Sequence, residues 1–437
     1  MNTIITKFGG SSLADANQFK KVKDIITSNP ARRYVVPSAP GKRNSKDTKI
    51  TDLLYLCHAH VSAGISLDDV FNHVRDRYLG IVSDLKLDFN MEEHLDIVKH
   101  DLENGASSDY AASRGEYLNG LILANYLGFE FVDAKEVIVF NNDGCLDTIA
   151  TNSALSAKLS KTPNAVIPGF YGADKDGNIV TFSRGGSDVT GALVASSINA
   201  NLYENWTDVS GFLMADPRII TDPKPINKIT YTELRELSYM GASVLHEDAI
   251  FPVRKVGIPI NIKNTNKPQD KGTFIVKDSE CNDNNSTITG IAGKKDFTVI
   301  SITKALMNSE LGFCRKLLSI LEQHNISFEN MPSGIDTVCL VISDSQLKHK
   351  KEAVLAEIKR TCNPDTIEVH PNMAMIATVG RGMAKQKGVA AKIFTALSEA
   401  KVNIRMIDQG SSEMNILVGV ENDNFEKGIS AIYKAFN

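Results

Sequence analysis

Cysteine is sparse and scattered: six residues, at positions 57, 145, 281, 314, 339 and 362, with no CxxC pair. That spacing argues against a disulfide frame or a zinc site, and reads as reduced, mostly buried thiols of a cytoplasmic protein. None of the six carries the local signature of a catalytic nucleophile. Positive charge is not in excess either. The formal net charge is −4, so no basic field draws nucleic acid or an anionic membrane. No apolar run nears the ~18 residues of a spanning helix. The opening MNTIITKFGG lacks the charged and apolar regions of a secretory leader. Missing too are the GxxxxGKS/T loop and the HRD and DFG set, which excludes P-loop enzymes and protein kinases. Neither glycine pair discussed below has GxGxxG spacing, which counts against dinucleotide binding.

What is present is ordinary globular composition: 437 residues, 42% hydrophobic and 23% charged, enough for two to four domains. Roughly the first 290 residues alternate strand-like and helix-like stretches in the manner of an α/β layer fold. TIIT (3–6), YVV (34–36), AVIPGF (165–170), NIVTF (178–182) and IPINI (258–262) read as buried parallel strands. A helix-rich block runs from Thr51 to Gly105. Its His58 and His60 fall on different helix faces, so they read as solvated or capping residues and not as joint metal ligands. The polar stretch SECNDNNST (279–287) reads as a linker.

Beyond it the chain repeats itself. GFCRKLLSILEQHNISFENMPSG, from Gly312, lies over GVAAKIFTALSEAKVNIRMIDQG, from Gly388, without a gap. Phe313, Leu317, Ile320 and Leu321 match Val389, Ile393, Ala396 and Leu397, one helix face written twice. Strands are expected at Ile326/Phe328 and Val402/Ile404, then at Val338/Leu340/Ile342 and Met414/Ile416/Val418. Each unit is therefore a small sheet with helices on one face, and two such units can form an effector pocket, a subunit contact or a plain structural duplication.

Two glycine pairs carry the chemistry. Lys7-Phe8-Gly9-Gly10 follows the first apolar run, and Arg184-Gly185-Gly186-Ser187-Asp188 precedes a helix rich in small residues. Each sets bare backbone beside a cation, and a glycine turn entering a helix aims amides and the positive dipole end at one spot. Both are expected at the carboxyl ends of sheet strands, where open α/β sheets bind ligands. Together they point to a polyphosphate site.

KFGGSSLAD, SRGE (113–116), SRGGSD (183–188), WTDVSGF (206–212) and ADPR (215–218), in this order, resemble the aspartokinase branch of the amino-acid kinase family. The duplicated tail resembles paired ACT domains. The resemblance covers essentially the whole chain and leaves no room for a fused homoserine dehydrogenase. It implies an α/β amino-acid-kinase three-layer sandwich with a mainly parallel central sheet, plus two C-terminal ferredoxin-like βαββαβ ACT domains. The expected division is 1–290 for the catalytic domain, with its helix-rich insert at about 52–110, then ACT units at 291–372 and 373–437. The ACT units are expected to interleave, with 298–306 pairing into the second.

The same resemblance implies ATP and Mg2+ as cofactors, L-aspartate as acceptor, and a homodimer or dimer of dimers joined through the ACT units. Lys7 and Asp188 would be the catalytic pair. An aspartate carboxylate, with an ordinary pKa of ~3.9, is already a nucleophile near neutrality, so Asp188 is cast as an orienter of Lys7 or magnesium and not as a base. Arg184 would fork onto the substrate carboxylate and Glu116 hold its ammonium, with Ser38 and Thr51 as polar neighbours. Phe8, Gly9, Gly10, Ser187, Thr207, Asp208, Leu213, Arg218 and Ser243 would line the ATP side. Two departures fall there. The chain has GFLMADPR where many aspartokinases read GxYTTDPR, and Ser243 stands where they carry a nucleotide-contacting lysine. Losing that cation should cost about 1–3 kcal/mol unless another cation, such as Lys224 or Lys228, replaces it. In the first repeat, Met307, Gly312 and Phe313 would wrap an effector whose amino group pairs with Glu329. Lysine is the expected effector, with threonine open. Competing expectations are a kinase for a related acidic amino acid, or a catalytically weak lysine sensor.

Overall fold

The computed structural model describes residues 2–183, 185–242, 245, 247–280 and 286–437, without the side chains of 247–249. The chain forms two compact units. One comprises Met1–Phe212, Pro225–Leu234 and Ser243–Asn282; the other Leu213–Lys224, Arg235–Ala242 and Asp283–Asn437.

The first unit holds, in chain order, β1 (Ile4–Phe8), α1 (Ala16–Thr27), β2 (Arg32–Pro37), α2 (Ile50–Ser62), α3 (Asp68–Leu85), α4 (Met91–Glu103), α5 (Ser108–Leu127) and β3 (Glu130–Phe131). Next come α6 (Thr148–Leu159), β4 (Ala165–Val166), β5 (Tyr171–Ala173), β6 (Ile179–Thr181), α7 (Gly186–Ser197) and β7 (Leu202–Thr207). It closes with β8 (Lys228–Thr230), α8 (Tyr231–Tyr239, whose last residues belong to the second unit), α9 (Glu247–Val256), β9 (Ile260–Asn264) and β10 (Thr273–Val276). Local signals set several boundaries. Asp15 caps α1 by accepting from the amides of Asn17 and Gln18. Ser107 caps α5, and Gly128 ends it in the left-handed conformation at φ 69°.

Eight strands form one sheet in the order β3-β4-β2-β1-β7-β9-β10-β8, parallel throughout except for β9 with β10. The pleat then sorts the side chains. Phe8, Val35 and Trp206 point into a core shared with α1 to α5, while the intervening Lys7 and its register partner Asn205 face α7 on the other side. Helices α6 and α9 pack on α7, completing an α/β/α sandwich. No helix among the described residues is long and apolar enough to cross a membrane.

Three expectations need correction here. NIVTF is not a sheet strand: Ile179–Thr181 pairs antiparallel with Tyr171–Ala173 in a separate two-stranded ribbon and is only half-buried. Consequently the second glycine turn leaves a ribbon, not the central sheet. Strand β7, between β1 and β9 in the sheet, was not expected, because Glu204 and Asn205 interrupt its apolar character. The thiols are less buried than expected: of the five described cysteines only Cys57 and Cys362 are buried, and Cys145 is exposed.

The second unit is built on β11 (Gly290–Thr303), β12 (Thr337–Ser343), β13 (Thr366–Val379), β14 (Met406–Asp408) and β15 (Asn415–Glu421), in the order β12-β11-β13-β15-β14 and antiparallel throughout. Its helices are α10 (Phe313–Gln323), α11 (Asp344–Leu347), α12 (Lys351–Cys362), α13 (Val389–Glu399) and α14 (Phe425–Phe436). Phe313, Leu317, Ile320 and Leu321 fill one core, and Val389, Ile393 and Leu397 fill another. The two 14-residue strands run through both repeats. Gly290–Lys294 pairs with Met375–Val379 of the second repeat, whereas Phe297–Thr303 pairs with β12 of the first. The crossing segment is thus 290–294 and not 298–306. Residues 326–328 and 402–404 are extended loops without strand pairing; the short strand of the second repeat lies at Met406–Asp408.

Candidate active site

The carboxyl edge of the large sheet collects most of the expected residues. Lys7 lies at the end of β1, Ser38 follows β2, and Thr207 ends β7. Hydrogen bonds lock these ends together: the Gly9 amide donates to Trp206 O at 3.0 Å, the Ser38 amide to Phe8 O at 3.0 Å, and the Gly41 amide to Gly10 O at 2.8 Å. Directly after β9, Thr265 Oγ1 lies 2.7 Å from Ser12 Oγ. The first glycine pair therefore works differently from its expectation. Neither glycine has positive φ, and the amide of Gly9 is already spent on Trp206. Gly10 is small because the loop crosses it: a Cβ there would meet Ala39 O at 2.9 Å.

The second pair opens a helix as expected, although it does so from the ribbon and not from a strand of the sheet. Gly185 caps α7 in the left-handed region at φ 59°, and a Cβ on Gly186 would meet Phe170 at 2.7 Å. That turn delivers Asp188 to Lys7. Lys7 Nζ lies 2.6 Å from Asp188 Oδ1, both side chains being largely buried. Asn205 Nδ2 donates to the same oxygen at 2.7 Å, and Tyr203 Oη donates to the Asp188 carbonyl. Asp188 Oδ2 takes no hydrogen bond among the described residues. Buried ion pairs return little stability for their desolvation cost, so this one is better explained by chemistry than by folding. Asn205 is a site residue the sequence reading missed. Its signal was available: two polar residues inside YENW, on a strand otherwise suited to the core.

Glu116, on α5, is 6% exposed. Burial pushes its carboxyl up to about 8, against the amide of Ala39 and the charges of Lys7 and Arg114, which pull it down. Its Oε2 is buried with no partner, and so is Oδ1 of Asn119, whose Nδ2 donates to Ser38 O at 2.6 Å. An unpaired buried acceptor is costly to leave unmade, which marks a place for a donor that arrives with the substrate. Thr51 stands in the first turn of α2, half-buried. Ser187 is buried, with Gly169 leaving room for its Cβ.

Other expected residues are not brought to this cluster within the first unit. Leu213 and Arg218 belong to the second unit, and Arg218 is exposed and bound to Asp216 at 2.6 Å. Asp208 accepts from Thr207 Oγ1 at 3.2 Å. Arg184 and Ser243 lie outside the described residues, as does most of the expected linker. Lys228, a possible replacement cation, donates to Glu280 O at 2.8 Å. In the first repeat the side chains of Met307 and Phe313 are core, not lining. Gly312 caps α10 at φ 79°. The Tyr239 hydroxyl donates a hydrogen bond to the Glu329 carboxylate, and burial together with that bond pushes the Tyr239 pKa up to about 12.

The amino acid kinase family profile matches residues 2–264, and an ACT domain profile matches residues 376–436. With that match and the sandwich described above, the chain belongs to the amino acid kinase family. Within the family its full-length relatives are aspartokinases. Aspartokinase 3 of Bacillus subtilis (strain 168) is 39% identical over 447 residues, spanning 99% of this chain and 98% of that protein. The structure of Clostridium acetobutylicum aspartate kinase is 63% identical, superposes with a TM-score of 0.94 and covers 100% of both chains. Escherichia coli aspartokinase III, solved with aspartate and ADP and again with lysine and aspartate, is 25% identical, with TM-scores of 0.75 and 0.76 and 99% coverage of each chain.

Proposed function

We propose that this chain transfers the γ-phosphoryl group of ATP to the side-chain carboxylate of L-aspartate, giving 4-phospho-L-aspartate and ADP. The observation that carries the reading is the unpartnered, buried Oε2 of Glu116 close enough to Lys7 to feel its charge. Such a site has need of both a substrate ammonium and a phosphoryl group. In the step itself, an aspartate carboxylate oxygen forms a bond to the γ-phosphorus as the bond to the β,γ-bridging oxygen breaks. No proton moves, so no general base is needed. Lys7 neutralises charge on the equatorial phosphoryl oxygens, held in place by Asp188, which Asn205 fixes in turn. The residues fit a magnesium ion: Asp188 Oδ2 supplies one free carboxylate oxygen, and Mg2+ is commonly held by one or two carboxylates plus substrate phosphates. When bound, the ion supplies charge neutralisation on the β- and γ-phosphates. Ser38, Thr51, Glu116 and Arg184 hold the amino acid in this reading. The buried Asn119 Oδ1 beside Ser38 adds a second acceptor.

Feedback acts through the two ACT repeats, for which we keep the boundaries 291–372 and 373–437, with 1–290 as the catalytic part. L-lysine is the effector of choice, with its amine against Glu329; the burial of Met307 and Phe313 leaves their backbone, with the Gly312 turn, for the carboxylate. Assembly through the repeats is supported by the apolar side chains of Leu306, Leu311 and Ile335, which are 73%, 97% and 71% exposed.

The test is ATP turnover with L-aspartate, the acyl phosphate being trapped as a hydroxamate, with L-glutamate as control and L-lysine or L-threonine added in turn. Hydroxamate from aspartate alone, suppressed by lysine, is expected; preference for glutamate overturns the substrate, and insensitivity to lysine overturns the effector. Lys7→Ala should lower kcat by about 10²–10³ while lysine binding, followed by calorimetry, stays unchanged. Residual turnover above a tenth of the parent would remove Lys7 from its assigned role.

A further inference from the structure

Arg114 precedes Glu116 by two positions on α5 and is 4% exposed. Its guanidinium donates to Ser113 Oγ, at 3.1 Å from Nε and 2.9 Å from Nη2, and makes no ion pair with any carboxylate among the described residues. Three tyrosine rings surround it: Tyr110 and Tyr117 with centroids 4.5 Å away, and Tyr171 at 5.2 Å. Those distances lie within the range where a ring quadrupole attracts a cation. Two of the rings are tied to acids in turn. Tyr171 Oη donates to Asp133 Oδ1 at 2.7 Å, and Tyr110 Oη donates to Asp101. A donated hydroxyl proton enriches the ring in negative charge, so the cage holds a cation more firmly than three free phenols. A buried guanidinium without an ion partner is costly, and nothing in core packing calls for one.

The charge has a use two residues away. On a helix, positions i and i+2 point in different directions, so Arg114 does not touch Glu116. Its field nevertheless reaches the carboxylate through a medium that screens poorly. The other groups facing Glu116 are Lys7 from β1, itself paired with Asp188 of α7, and the hydroxyls of Tyr55 from α2 and Tyr78 from α3. Lys7 is engaged with the transferring phosphoryl group in every turnover. Arg114, by contrast, cannot change partners or lose its proton.

We propose that Arg114 is a positioning residue whose caged, permanent charge eases ionisation of the buried Glu116 carboxyl as the substrate's ammonium arrives. The inference rests on the reading of Glu116 as the ammonium partner. The aspartate KM and kcat are measured from pH 6.5 to 9 in the full-length parent and in Arg114→Gln, Arg114→Lys and Glu116→Gln. Loss of the charge raises the Glu116 pKa, so the aspartate KM of Arg114→Gln should rise about tenfold at pH 6.5 but only about twofold at pH 9. Its ATP KM and its kcat at saturating aspartate change by less than about twofold. Arg114→Lys, smaller but charged, gives a KM–pH curve parallel to that of the parent, and this arm stands should Arg114→Gln fail to fold. A KM that rises equally at every pH in Arg114→Gln, or a curve displaced along the pH axis in Arg114→Lys, overturns the proposal. If Glu116→Gln leaves the aspartate KM unchanged, it is the reading of Glu116 that fails.

Discussion

Glu116 makes a residue-scale claim that can be checked without turnover. Its folded pKa of about 8 lies above the ordinary 4.5, so the native state binds the extra proton between those values. The stability this group contributes is therefore fully present below about pH 4.5 and is lost as pH rises through about 8. Glu116→Gln is neutral and isosteric. Its urea midpoint relative to the parent should accordingly climb between pH 6 and pH 9, and parallel curves would contradict the buried, protonated carboxyl. The same linkage acts on binding. If Glu116 is the partner of the aspartate ammonium, as proposed, the ammonium selects the ionised carboxylate and binding at pH 7 should release about one proton per site. Titration calorimetry in two buffers of different ionisation enthalpy measures it, and zero release would place the ammonium elsewhere.

At the scale of elements, the segment from Ser38 to Lys49 ties the substrate side to the first glycine turn. Gly41 packs so close to Gly10 that a Cβ on Gly41 would meet the Gly10 carbonyl carbon at 2.6 Å. The segment is pinned further along by Asp47, bonded to Arg43 at 3.0 Å and to Arg77 of α3 at 2.6 Å. The hydrogen bond from Arg43 is the largest influence holding the Asp47 carboxyl far below its ordinary range. Arg77 also donates to Gly41 O and is buried. Asp47→Asn should therefore cost about 3–5 kcal/mol by leaving a buried guanidinium unpaired. Denaturant midpoints measure this; a loss below 1 kcal/mol would mean that Arg77 finds water or another partner. None of this linkage was legible in the sequence, because Asp47 sits among lysines in what reads as a polar loop. Patterned apolar faces were legible, as in α10 and α13. So were the glycines of the second turn, whose conformation few other residues can adopt. Strand β7 was not, since the charge of its buried Glu204 is met by Arg32 and its buried Asn205 bonds Asp188, partners that lie on other elements of the fold. The 326–328 and 402–404 segments failed for the opposite reason: their alternation fits a pleat, but no neighbouring strand lies there to complete it.

At the scale of the molecule, the repeat is not two beads. Strands β11 and β13 each serve both halves, with left-handed breaks at Asp296 and Asn372 where the ladder shifts register. Damage to one half should therefore spread. Ile376→Ala removes a fully buried side chain from the second half, at a cost of about 2–5 kcal/mol. Amide exchange should then accelerate in β12 of the first half as well as in β15. Protection in β12 that stays at the parent's level would show that the halves melt independently.

The winding course of the chain bears on how such a protein can be re-engineered. Its second unit draws on Leu213–Lys224 and Arg235–Ala242 as well as on everything after Asp283. A regulatory tail grafted at a single junction near residue 290 would bring its own sheet and leave those two short pieces of the host behind, matched to a partner no longer present. Swapping feedback specificity between relatives thus calls for three coordinated exchanges, and a chimera with one seam should lose its response to effector before it loses its catalytic sheet.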